Sequence, residues 1–145
     1  MPDRVASDHP SVESVRAELV RAGRTDRPRV AVPADAADLV PEGEVVRLVL
    51  DGTERFARVA ARMGDDRLEL RGAHDTPDDA RDPGSGSDRL GDWQDAHGVR
   101  FGGAVLLDVV EAGYKYGLRA PGERAVYDAG RPDSSLADIA RDLDG

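Results

Sequence analysis

The sequence predicts an α+β domain built around a small, mostly antiparallel β-barrel of six or seven strands, with helices at its periphery. Three observations predict it. Short runs alternate apolar and polar residues at period two, as RLELRGA does with Leu68 and Leu70 set against Arg67, Glu69 and Arg71. Turn signals, Asp51-Gly52 and Gly113, separate pairs of such runs. Aromatic residues make up 4% of the chain, so the core rests on Val, Leu and Ala.

Taken in order, Ser11 can cap a helix over 8–23, in which Val12, Val15 and Leu19 fall at i, i+3 and i+7 and Gly23 provides the stop. RVAVP reads as a strand, PADAADLV as a short helix and PEG as a turn. Val46, Leu48 and Leu50 share one face of a strand that the Asp51-Gly52 turn joins to a second, Arg55 to Val59. After RLELRGA comes a short acidic turn or helix, TPDDAR, and then DPGSGS, a flexible stretch placed at 82–88. The segment DRLGDWQDAHG reads as a helix with Leu90 and Trp93 on one face and Gly98 at its end.

In a second hairpin Val105, Leu107 and Val109 share the inner face, Asp108 points outward, and Tyr114, Tyr116 and Leu118 share a face of the return strand. ERAVYD adds a last strand. Ser134 or Ser135 caps a closing helix over 134–144 with Leu136, Ile139 and Leu143 at helical spacing. Residues 1–145 thus form a single domain, with the barrel over 28–128. The halves also align: Gly43 with Gly102, Val46 with Val105, Leu48 with Leu107, Leu50 with Val109 and, after a slip, Gly52 with Gly113 and Arg58 with Arg119. This pattern points to a duplicated, pseudo-two-fold unit.

The charge chemistry speaks to habitat. Of 29 acidic residues 21 are Asp, of 20 basic residues 19 are Arg, Lys115 is the single lysine, and the net charge is −9. At molar salt the Debye length is roughly 3 Å, so the self-repulsion of such a chain is screened while its carboxylates keep the surface hydrated. A GC-rich genome favours Arg over Lys but does not enrich acids over bases, so the composition reads as halophilic. No signal-like start and no apolar stretch long enough for a bilayer are present, which implies a cytoplasmic protein without a membrane partner.

VRLVLDG, the Trp93 helix and LDVVEAGYKYGLRAPGERAVY resemble an uncharacterised family of haloarchaeal proteins. That resemblance covers most of the chain and brings no functional residues with it. More loosely, the order strand, VPADAADLVPEG, hairpin is similar to the half-barrel of swapped-hairpin transcription regulators, and its duplicated form with a Trp-bearing helix resembles a DNA-binding pseudobarrel.

Catalysis finds no support. A nucleophile elbow, a phosphate-binding glycine loop and a dinucleotide fingerprint are all missing, and carboxylates are too abundant for a pair to stand out, so the chain reads as a non-enzyme without cofactor or catalytic residues. Cysteine and asparagine are absent. The histidines lack metal spacing, and His74 near Asp75, Asp78 and Asp79 lies in an acid-rich background, so no metal site is expected.

The candidate ligand-binding residues are Arg71, Tyr114, Lys115, Tyr116, Arg119 and Arg124, where aromatics beside cations could stack a base or clamp an anion. Alternation offers the competing reading that Tyr114 and Tyr116 face the core and Lys115 faces solvent. Trp93 is the candidate partner contact, against a role in the core. The function expected is a binding module associated with nucleic acid in regulation, resting on the pseudobarrel likeness and on the strand-exterior arginines Arg47, Arg55, Arg58, Arg67, Arg71 and Arg119. The alternative is a protein-interaction or self-assembly module, including a homo-oligomer. An arginine-lined face would mark the first, and an exposed apolar patch above a few hundred Å² the second.

Overall fold

Alternation becomes strand almost wherever it is written. In the computed structural model, which describes residues 4–7, 12–64, 66–82 and 88–128, nine strands form: β1 (Arg4–Ala6), β2 (Glu13–Arg21), β3 (Pro28–Val32), β4 (Val45–Leu50), β5 (Thr53–Ala61), β6 (Leu68–His74), β7 (Ala104–Glu111), β8 (Lys115–Arg119) and β9 (Val126–Asp128). A 3-10 helix (Ala34–Leu39) follows β3, and two helices, α1 (Pro77–Arg81) and α2 (Leu90–His97), separate β6 from β7. Strands β2-β3-β6-β5-β4-β8-β7 close into a barrel, while β1 and β9 pair as a separate ribbon. The β4–β8 pairing is parallel and its neighbours are antiparallel, so the barrel is mixed. Exchanging the two hairpins of a duplicated unit would set β7 beside β5; β7 instead pairs with β2.

The expected first helix is a strand. Val12, Val15 and Leu19 satisfy a helical spacing, but Val15, Ala17 and Leu19 also alternate, and these three point into the barrel as β2. The β-branched valines fit the pleated surface, and β2 completes the ladders of both β3 and β7, which would otherwise expose unpaired backbone. The closing helix over 134–144 and the flexible stretch's residues 83–87 lie outside the described residues.

The two hairpins and the helix near Trp93 form as read, except that Tyr114 lies in the turn before β8 and does not join Tyr116 and Leu118 in the core. In the first turn Asp51 and Gly52 both take positive φ, +51° and +82°, the conformation that a two-residue hairpin requires. Leu19, Val30, Val46, Leu48, Val59, Leu70, Val105, Leu107 and Tyr116 fill the barrel, all fully buried. Both ends are plugged. Ala36 and Val40 enter the core at and just after the 3-10 helix that follows the end of β3, and Leu90 and Trp93 enter from α2, whose Gly91 lies against Pro28 at the start of β3.

The ribbon packs on the barrel's outside through Tyr127, which joins Val12 and Val49 in a second apolar cluster and lies directly against Gly117. Its hydroxyl donates to Asp108 at 2.5 Å. Asp108 therefore does point outward from β7, as the alternation implies, yet it is completely buried beneath the ribbon.

Candidate anion-binding face

Tyr116, Lys115 and Arg119, which the sequence groups together, are spent on holding the fold. Tyr116 lies inside the barrel, where its hydroxyl donates to the Leu39 carbonyl at 2.5 Å and accepts from the Gly113 N–H at 2.7 Å. Burial pushes its phenol above the ordinary tyrosine range, only partly offset by the Gly113 bond. Tyr114 is half-buried with the Arg47 guanidinium 4.4 Å over its ring. Lys115 does not face solvent: it sits opposite Arg47 in the β4–β8 pair, and its Nζ lies 3.2 Å from Glu54, which Arg47 also engages at 3.2 Å. A lone ammonium under neighbouring side chains is tolerable there because its counter-ion is present.

Arg119 is bound to Asp108 through Nε at 2.8 Å, to Ser14 at 3.0 Å and to the Glu123 carbonyl at 2.7 Å. Arg124 is exposed beside it. Trp93 is a core residue at 3% exposure, stacked on His97 with ring centres 4.7 Å apart, and offers no partner contact. His74 is buried, and the neighbouring Asp75 is clasped by Arg89 and Arg55. The bond from Arg89 holds its carboxyl below the usual range, more than offsetting its desolvation.

Arg71 is carried to a different wall, with β5 and β4 between β6 and β8, and joins arginines that the sequence does not place together. Outward positions of β3, β6 and β5 carry Arg29, Arg71 and Arg58, with Arg58 and Arg71 directly opposed across the β5–β6 ladder. Two like charges at such a position destabilise a sheet. Glu69, two residues before Arg71, is 3% exposed and gathers Arg29 at 2.6 Å, Arg71 at 2.8 Å and Arg62 at 3.5 Å. It reads as a solvent-facing position in the sequence, but the arginine side chains close over it. One carboxylate serves three guanidinium groups here, and among the described residues the Arg58 and Arg27 side chains have no acidic partner.

At one end of this face a recess of about 50 Å³ opens between Arg27, Arg29, Arg58, Arg71, His74 and Asp88. A bulge forms it. The β5–β6 register shifts between Phe56 and Arg58, opposite Gly72, whose φ of +81° admits glycine and few other residues. A Cβ at Gly72 would lie 2.7 Å from an Asp88 oxygen and 2.8 Å from His74 Nε2. Asp88 is held by the backbone N–H groups of Ala73 and Leu90, each at 3.0 Å, so its place is fixed by the fold. The glycine inside RLELRGA was the available sequence signal for this bulge.

The fold and the face define a small closed β-barrel that gathers arginines on one outer wall of an acidic chain. By sequence the chain belongs to a family of unknown function, DUF7112, whose pattern it matches over residues 1–143. No curated protein and no solved structure matches it.

Proposed function

We propose that the chain is a non-enzymatic binding module of a halophilic, haloarchaeal cytoplasm, and that its partner is a nucleic acid held by the arginine wall of β3, β6 and β5. The observation that carries this reading is the direct opposition of Arg58 and Arg71 beside Arg29, a repulsive arrangement that a bound row of phosphates would neutralise. On a chain of net charge −9, Arg29, Arg62 and Arg71 gather around Glu69, and Arg27 and Arg58 line the adjoining recess with Arg29, Arg71 and Asp88. The aromatics expected to stack bases are buried or carry Arg47, so the contact is made to the backbone and is tolerant of sequence. The rival interaction module has less to work with. Among the described residues the exposed large apolar side chains are Met63 and Val126.

A labelled oligonucleotide titrated at several KCl concentrations tests the proposal by fluorescence anisotropy. The logarithm of the affinity should fall linearly with the logarithm of salt, by about 0.9 per phosphate neutralised, and Arg71→Gln should reduce that slope by about one. Absence of binding at every salt concentration, or a slope that Arg71→Gln leaves unchanged, would overturn it.

A further inference from the structure

An open basic surface is a poor anion trap at molar salt, because screening removes attractions between exposed charges beyond about 3 Å, whereas partly buried pairs are screened much less. The recess beside Gly72 is where the arginine wall escapes that limit. Building on the nucleic-acid reading, we infer that this recess binds a single phosphate monoester, presented by the free end of a nucleic-acid strand. Its volume of about 50 Å³ compares with the roughly 10–15 Å³ that one water occupies on the same measure. It therefore has room for a few waters, or one tetrahedral oxyanion, and none for a nucleobase.

Charge selects the same ligand. Arg27, Arg29, Arg58 and Arg71 face the recess with Asp88, and Glu69 lies against two of them, which leaves an excess of positive charge. A phosphodiester within a strand carries one negative charge, while a terminal monoester carries about 1.5 to 2 at pH 7 and three acceptor oxygens. The Arg58 and Arg27 forks, without an acidic partner among the described residues, supply donors in the planar arrangement that phosphate accepts in pairs. Pro28, Gly72, His74 and Ala80 form the remaining walls, so the anion would be backed by apolar groups, backbone and one imidazole.

The test uses the full chain in molar KCl and calorimetric titration with three probes: inorganic phosphate, a 5′-phosphorylated oligonucleotide and the same oligonucleotide without its terminal phosphate. The phosphorylated strand should bind about tenfold more tightly than its dephosphorylated form, the equivalent of one charge-assisted hydrogen bond. Arg58→Gln should abolish the difference. Arg27→Gln, at an exposed position, provides a second variant whose folding is not in question, and it should reduce the preference as well.

Equal binding of the two strands would overturn the recess assignment and leave the arginine wall as a backbone contact. Binding of inorganic phosphate with neither strand bound would overturn the nucleic-acid source and with it the proposed function, while retaining the oxyanion site. A response to none of the three probes would remove both.

Discussion

Asp108→Ala removes the acceptor on which Ser14 Oγ, Arg119 Nε, Arg119 Nη2 and the Tyr127 hydroxyl converge, at 2.6, 2.8, 3.2 and 2.5 Å. The carboxylate has no exposure and the Arg119 side chain only 13%, so the variant leaves a guanidinium beneath the ribbon without its counter-ion. Breaking one half of a buried pair costs about 3–5 kcal/mol. Arg119 keeps the Glu123 carbonyl and some access to water, which places the expectation near the lower end, about 3 kcal/mol. That is comparable with Leu107→Ala on the opposite face of β7, for which loss of buried volume costs about 2–5 kcal/mol. Urea unfolding followed by circular dichroism at fixed molar KCl would measure both, and a double-mutant cycle with Arg119→Ala should show coupling of about 1 kcal/mol or more. A loss below about 1 kcal/mol for Asp108→Ala, or strict additivity with Arg119→Ala, would refute the view that this cluster ties the ribbon to the barrel.

Gly117→Ala should release the same ribbon by another route, since the added Cβ would lie 2.1 Å from the Tyr127 ring. A cost of about 1–3 kcal/mol and a loss of the near-ultraviolet tyrosine signal are expected, and an unchanged signal would contradict the packing. His97 joins the end of α2 to Asp51 at 2.7 Å and Glu123 at 2.9 Å; burial disfavours its charge, but the bonds to the two carboxylates more than reverse this and raise its pKa. Its contribution is therefore fully present below the unfolded value near 6.5 and is lost as pH rises through the folded one, so His97→Gln should flatten the fall of melting temperature above about pH 6.5; the same slope in both proteins would count against the bridge. Lowering salt from molar to about 0.1 M, where the Debye length returns to about 10 Å, should lower the unfolding midpoint by circular dichroism; a flat or higher midpoint would sink the halophilic reading.

Elements settled by near neighbours were legible. The Asp51-Gly52 hairpin, the Trp93 helix with its Gly98 stop, and the inward set Val105, Leu107, Val109, Tyr116 and Leu118 need only local turn chemistry and alternation. The β2 segment reads as a helix because Val12, Val15 and Leu19 fit a helical spacing while Val15, Ala17 and Leu19 fit a strand, and the choice is made by the edges of β3 and β7, of which β7 is distant in sequence. The site was less legible for the same reason. Glu69 and Lys115 occupy outward positions by alternation, and both are buried among charged side chains that come largely from other strands. Nothing within β3, β5 or β6 alone states that Arg29, Arg58 and Arg71 share a wall, since that depends on the strand order β3-β6-β5.

The ladder between β2 and β7 has a further consequence for how the chain acquires its shape during synthesis. Its pairs, Glu13 with Val109 through Glu18 with Ala104, join the start of the barrel to a strand near the end of the described chain. Such non-local pairing is slow to nucleate, because a long loop must be closed before any contact rewards it. Until β7 emerges, β2 has β3 on one side and an open backbone edge on the other, a surface prone to pairing with other chains. The pairings among β3, β4, β5 and β6 need nothing beyond His74, so the arginine wall can assemble on the nascent chain before the barrel is sealed.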